Sequence, residues 1–408
     1  MSPAEFAMPE RPRLRSGLAA APDESDPGAL YLWDPLRVAG PPVRVSRLDM
    51  VWLRLMTGER TLRDLQLDAM RMTGGLLVPL DAITALVARM DAARFLDSPR
   101  LHAFLGGPER EPACVGCYPE DPAAVRRLFD GLFTRPDGPG RPGEPRPDGK
   151  LRAALVPHID YARGNVTYAW GFKEVFERSD ASLFVIVGTA HYSRHRFTLT
   201  RKHFRTPLGL VETDGAFIDR LVAHYGDGLF DDPFAHLPEH SIELEVVLLQ
   251  YYYARRRPIR IVPLLVGSFH DCIADGSDPA DRDDVGRMIA ALRAAEAETP
   301  EPVCYLISGD LAHIGPKFDD SDPVSEPFLA HSHDQDRKLI AQAEAADPLG
   351  VYRVVEQEND ARRICGLPPA YTVLSALRPS RGRLAHYGRY VHPQGHESVS
   401  FASVVFER

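Results

Sequence analysis

Residues Leu183-Phe184-Val185-Ile186-Val187-Gly188-Thr189-Ala190-His191 (LFVIVGTAH) decide how the chain folds. Five apolar residues run without interruption and stop at a glycine. Such a run is what a strand covered on both faces looks like. A histidine follows just past its end. The same arrangement occurs twice more. Residues 153–156 form a short apolar run followed by Pro157-His158, and residues 303–307 (VCYLI) are followed by Ser308-Gly309-Asp310-Leu311-Ala312-His313. In open α/β sheets, ligands bind outside the carboxyl ends of the strands. If these three strands are parallel neighbours, their three imidazoles converge on one pocket. The chain has 15 histidines, so some follow strands by chance. Three with the same placement, one of them with an Asp three residues before it, favour a functional pocket.

Working outward, residues 168–176 read as a helix, and 213–224 and 239–255 as amphipathic helices. Residues 259–266 (IRIVPLLV) read as a further strand. This alternation predicts an α/β domain: a mostly parallel sheet flanked by helices. Upstream, CVGCYPEDPAAVRRLFDGLF ends in an amphipathic helix. Residues 135–150 (RPDGPGRPGEPRPDGK) are nearly all Pro, Gly and charge, which predicts an exposed loop unable to bury apolar surface.

Residues 13–101 have a different texture. Short strands are expected at 29–36 and 42–45. Ser46 is a plausible N-cap for a first helix, a second follows Arg60-Thr61-Leu62 and breaks at Gly74-Gly75, and Pro79 opens a third. Two strands and three helices predict a small winged-helix-like α+β module. The first 25 or so residues are polar and Pro-rich and are expected to be loose.

The bulk numbers agree with this layout. A length of 408 residues suggests two or three domains. The chain is 44% hydrophobic and 26% charged, as in an ordinary soluble globular protein. A formal net charge of −9 argues against general nucleic-acid binding, which needs a basic face. No apolar run reaches the roughly 18 residues of a membrane span. The N-terminus lacks an apolar h-region, so no signal peptide is expected. Five cysteines do not look like a disulfide framework, and the expectation is a cytoplasmic protein with reduced thiols. No P-loop, G-x-S-x-G elbow or H-E-x-x-H motif occurs.

Three further groups could carry chemistry. His240 and Glu243 share a helix face at i, i+3, where Glu243 could orient His240 or take a proton; an acidic first turn favouring the helix dipole is the alternative. Cys365 precedes a helix at 370–377, whose dipole would favour a thiolate; taken alone it reads rather as a buried structural Cys. Cys114 and Cys117 form a C-x-x-C without a second pair to complete a zinc site. They read as structural, with redox or metal chemistry as the alternative.

The segments VPHIDYARG, VGTAHYSRH, EHSIELEVVLLQ, SGDLAHIG and ICGLPPA, in this order, resemble the blocks of the MEMO family, also called AmmeMemoRadiSam system protein B. The resemblance covers about 113–408. It implies a fold similar to class III extradiol dioxygenases, and a pocket that binds iron or copper through His158, His191 and Cys365. His313, with Asp310 before it, matches the acid/base position; His240 and Glu243 fall in the pocket-side helix motif. Asp160 stands where the family has Gly, adding a carboxylate near the first ligand. A Cys among the ligands makes a softer site, so zinc is also admissible, and ring-cleavage activity does not transfer with the fold. Residues 13–101 more distantly resemble PqqD-type winged-helix modules, which bind peptides and partner radical-SAM enzymes. The resemblance therefore implies a metal-dependent redox enzyme acting on a small aromatic or peptide substrate, with radical-SAM and AMMECR-type proteins as partners. A non-catalytic metal- or peptide-binding scaffold and a zinc-dependent hydrolase are the alternatives.

Overall fold

The computed structural model describes residues 6–75, 77–114 and 116–408. The chain divides into two compact units, Met1–Gly107 and Pro108–Arg408.

The first unit opens with an antiparallel meander, β1 (Ala19–Asp23), β2 (Asp26–Trp33) and β3 (Val43–Ser46). Four helices follow: α1 (Arg47–Leu55), α2 (Leu62–Met72), α3 (Leu80–Ala92) and α4 (Pro99–Leu105). Ser46 and Thr61 each close a capping box, with Asp49 and Asp64. The unit therefore has one strand and one helix more than expected. The extra strand corrects the expectation that the first 25 residues are loose, of which residues 1–5 lie outside the described residues. Pro22 hid it, but β1 is an edge strand and Pro22 stands beside a register shift, places where a sheet tolerates a residue without an N–H. Leu32, Val45, Trp52, Leu65, Ile83, Val87 and Phe95 are buried in this unit's own core.

The second unit begins with β4 (Glu109–Arg110), α5 (Pro122–Thr134), β5 (Leu151–Val156), α6 (Tyr161–Gly164), α7 (Val166–Arg178) and β6 (Leu183–Thr189). It continues with β7 (Phe197–Leu199), β8 (His203–Thr206), β9 (Gly209–Thr213), α8 (Gly215–Tyr225), α9 (His240–Tyr253), β10 (Arg260–Val266), α10 (His270–Asp275) and α11 (Asp283–Ala297). Last come β11 (Val303–Ser308), β12 (His313–Ile314), α12 (Glu326–Glu344), α13 (Pro348–Gln357), α14 (Leu367–Leu377), β13 (Arg381–Val391) and β14 (Ser398–Glu407). Its large sheet runs β12-β14-β5-β11-β6-β10-β9-β8-β4, with β13 paired to β14 and β7 to β10. β5, β11, β6 and β10 are parallel neighbours, and β14 closes against β5 antiparallel.

Side chains alternate strictly between the two faces. Leu183, Val185 and Val187 join one core with Val262, Leu264, Tyr305 and Ile307, against α8, α11 and α14. Phe184 and Ile186 join the other with Ile261, Cys304 and Leu306, against α5, α7 and α9. Both faces are covered, which is why the strands read as unbroken apolar runs. α9 corrects the amphipathic reading: 12 of its 14 residues are buried, Glu243, Glu245 and Gln250 among them. Residues 135–150 form no regular structure but are tied down, with the Arg146 N–H donating to Glu177 O and the Trp170 indole to Asp137 O. Among the described residues no helix is long and apolar enough to cross a membrane.

Candidate metal centre

The register of the three central strands builds the site. Ser308 lies opposite both Val156 and Gly188, so β5, β11 and β6 end at one level. His158, Asp310 and His191 therefore leave the sheet side by side. His240, the first residue of α9, joins them because Gly188 lets that helix come close: a Cβ there would meet Ser241 Oγ at 2.6 Å. The rings of His158, His191 and His240 lie 4.7–5.3 Å apart, centroid to centroid.

A pair of glycines, Gly309 and Gly366, delivers Cys365. A Cβ on Gly309 would meet the Gly366 Cα at 2.4 Å, so the two loops can touch only as glycines. The Gly366 N–H donates to Asp310 O, and Cys365 Sγ comes to 3.2 Å from His158 Nε2. Two overlapping donor triplets result, His158/His191/His240 and His158/Asp310/Cys365, with His158 common to both.

Each imidazole is held through Nδ1. His191 Nδ1 lies 2.9 Å from Glu239 Oε1, His240 Nδ1 lies 3.3 Å from the same oxygen, and His158 Nδ1 lies 3.3 Å from Ser308 O. Glu239 also accepts from the backbone N–H groups of His191, His240 and Ser241. With Nδ1 so engaged, Nε2 is the nitrogen left to each ring as a ligand atom, and one ring nitrogen from each of the three histidines lies within 4.8 Å of the others. His158 is the floor of the site, 2% exposed, while His191 and His240 form its mouth, at 31% and 27%.

Electrostatics favour a cation. Burial, then the neighbouring imidazoles, lower the pKa of His158 well below the ordinary value. Burial lowers His240 to about 4, although Glu239 opposes it. Burial also works against charge on His191, but Glu239 outweighs it and the net shift is upward. Burial would raise Glu239, yet His191 and His240 hold it ionised, far below the usual range. Burial raises Asp310 to about 7, against the His158 N–H that donates to it. The Cys365 thiol corrects the helix-dipole expectation: burial, then Asp310, push its pKa well up, so a bound cation would have to supply what favours the thiolate.

A family profile described as "Memo-like protein" matches residues 110–405. The chain belongs to the Memo-like family. It is similar to a MEMO1 family protein of Methanopyrus kandleri, 32% identical over 314 residues, covering 74% of this chain and 99% of that one. A MEMO1 family protein of Aquifex aeolicus is 24% identical over 389 residues, covering 91% of this chain and 94% of its own. Since the second unit starts at Pro108, that likeness must extend into the first unit as well. A MEMO1 family protein of Thermococcus kodakarensis is 27% identical over 318 residues, covering 73% and 99%.

The remaining site residues fall as follows. His313 starts β12, and its Nδ1 faces the carbonyls of Leu311 and Arg363, at 3.2 and 3.0 Å. Asp310 faces His158 rather than His313. Glu243 does not touch His240; it is met by the Arg110 guanidinium, the Tyr118 hydroxyl and the N–H groups of Ala113 and Cys114. The carboxylate that orients the histidines is Glu239, which the sequence reading passed over. Asp160 caps α6 and pairs with Arg163. Cys114 and Cys117 form a disulfide, which corrects the expectation of reduced thiols throughout.

Proposed function

We propose that the strand-end pocket holds one iron or copper ion and that the protein is a metal-dependent oxidoreductase of a radical-SAM-associated system. What carries the reading is the set of three imidazoles whose Nδ1 atoms are all engaged, beside the thiol of Cys365. The donor set fits: imidazole nitrogens and a soft sulfur suit copper or iron, and zinc as well. Such a metal would supply Lewis acidity and one-electron chemistry. His158, His191 and His240 would hold it, with Cys365 or Asp310 adding a donor from the other side of His158.

His313 is the proton carrier in this reading. Its Nδ1–H donates to Arg363 O, so Nε2 carries the lone pair. Burial lowers its pKa to about 4, so the ring is neutral near pH 7 and would take up a proton only from a strong acid or in passing. Beside Cys365 lies a cavity of about 180 Å³, lined by Thr189, Phe269, Ile273, Arg363, Ile364 and Leu367. That is room for a small, partly apolar substrate. The radical-SAM association rests on the family resemblance, and the first unit is the natural place for a partner to dock.

The test is to load the protein anaerobically with Fe(II) or Cu(I), admit O₂, and follow the metal's oxidation state by electron paramagnetic resonance. The expected result is rapid oxidation that an added reductant reverses. Retention of zinc alone, with O₂-independent hydrolysis of ester or amide probes, would replace this reading with the hydrolase.

A further inference from the structure

The disulfide between Cys114 and Cys117 has no part in the metal chemistry above, and its surroundings differ from those of the other cysteines. Cys272 and Cys304 are buried in the core, and Cys365 belongs to the pocket. Cys114 and Cys117 are half-buried against the core, and Gly116 beside Cys117 is exposed, with no heavy atom within 4 Å of where a Cβ would sit. Each cysteine keeps part of its surface open to solvent, and that is the side from which a second thiol can approach. The bridge spans a sequence separation of only 3, so it removes far less unfolded-chain entropy than a bridge across a long loop. Holding the fold together is not its main effect.

Its flanks lead to the site. The N–H groups of Ala113 and Cys114 donate to the Glu243 carboxylate at 2.9 and 3.1 Å, and the Tyr118 hydroxyl donates to it from the other side of the bridge. Glu243 lies in the first turn of α9, the turn that begins with His240 and is capped by Glu239. The bridged turn and the histidine-bearing turn thus share one buried anchor.

We infer that Cys114–Cys117 is a reversible two-electron thiol–disulfide couple that exchanges with an external dithiol and sets how firmly the first turn of α9 is held. One thiolate of the dithiol attacks a sulfur of the bridge, the S–S bond breaks and a mixed disulfide forms. The second thiol of the dithiol then resolves it. Two electrons and two protons end on Cys114 and Cys117 as thiols, and the dithiol leaves as its own disulfide. Once the sulfurs are no longer bonded they move apart, the turn at Gly116 widens, and the two N–H groups lose their fixed aim at Glu243. Bridges that solvent can reach exchange more readily than fully buried structural ones.

The test uses the full-length, metal-free protein, so it stands or falls independently of the metal reading. The protein is equilibrated with mixtures of reduced and oxidised dithiothreitol, acid-quenched, alkylated and peptide-mapped, while hydrogen–deuterium exchange is followed over residues 239–246 and 283–297. The expected result is full reduction without loss of the folded circular-dichroism spectrum, and reoxidation by oxidised dithiothreitol. Exchange in the first turn of α9 should quicken at least about fivefold, with α11 unchanged. The Cys114→Ser/Cys117→Ser double variant should exchange like the reduced protein. A bridge that yields only under denaturing conditions, or reduction that leaves exchange over 239–246 unchanged, overturns the inference.

Discussion

Glu239 and Glu243 sit one helical turn apart at the start of α9, both almost completely buried, yet they serve different ends. Glu239 turns to the pocket and binds His191 and His240. Glu243 turns to the segment entering from β4 and binds Arg110, Tyr118 and two backbone N–H groups. Burial alone would raise both carboxyl pKa values; in both, the partners win and the shift is downward. Residue type and burial are the same, so the identity of the partner decides whether a buried carboxylate belongs to the site or to the scaffold. Arg110 links the two, since it also donates to the carbonyls of Glu239 and His236.

The sharpest way to break this comparison is Arg110→Met. It leaves the Glu243 charge buried without its cation, which should cost about 3–5 kcal/mol in urea unfolding. A cost under about 1 kcal/mol would show that Glu243 does not depend on Arg110. Glu239→Gln should act on the site instead: metal affinity falls about 10–100-fold in chelator competition, with a smaller stability loss than Arg110→Met. If the two variants swap effects, the assignment of roles is reversed.

A pH experiment separates the scaffold further. His236, whose carbonyl accepts from Arg110 Nε, is fully buried, and burial lowers its pKa to about 4. Its folded pKa lies below the unfolded value, so the stability it supports is present above about pH 6.5 and is lost as pH falls towards 4. At pH 5 that loss is about 2 kcal/mol, and His236→Asn should remove this part of the pH dependence. The smallest effect is expected from Asp160→Gly. Although two residues from His158, Asp160 caps α6 and pairs with Arg163, so stability should drop by only about a few tenths of a kcal/mol and metal affinity should stay put.

Much of the site was legible because its histidines follow unbroken apolar runs. Double coverage of the sheet makes those runs, and parallel register aligns their ends. His158 and His191 were readable on this ground, and His240 and Cys365 as residues at helix starts that the family's motifs then joined to the site; His313, read on the same ground, falls in neither donor triplet. Glu239 was not readable, because an acidic residue before a helix is usually a dipole partner, and only the fold shows that Gly188 brings that helix to the strand end. Arg110 lay outside every motif; its partners are more than a hundred residues away. The strand at Ala19–Asp23 was masked by its composition, and the burial of most of α9 by its polar residues, of which Glu243 and Gln250 find partners inside the fold while Glu245 Oε2 and the Tyr253 hydroxyl are buried without one.

Metal content by elemental analysis after anaerobic purification tests the central claim most directly, on the wild type and on His158→Ala, His191→Ala, His240→Ala and Cys365→Ala. The account predicts near-stoichiometric metal in the wild type and its loss in each histidine variant, with His158→Ala the most severe because His158 is common to both donor triplets. Full metal in the histidine variants, or no uptake of Fe(II), Cu(I) or Zn by the wild type, would contradict it.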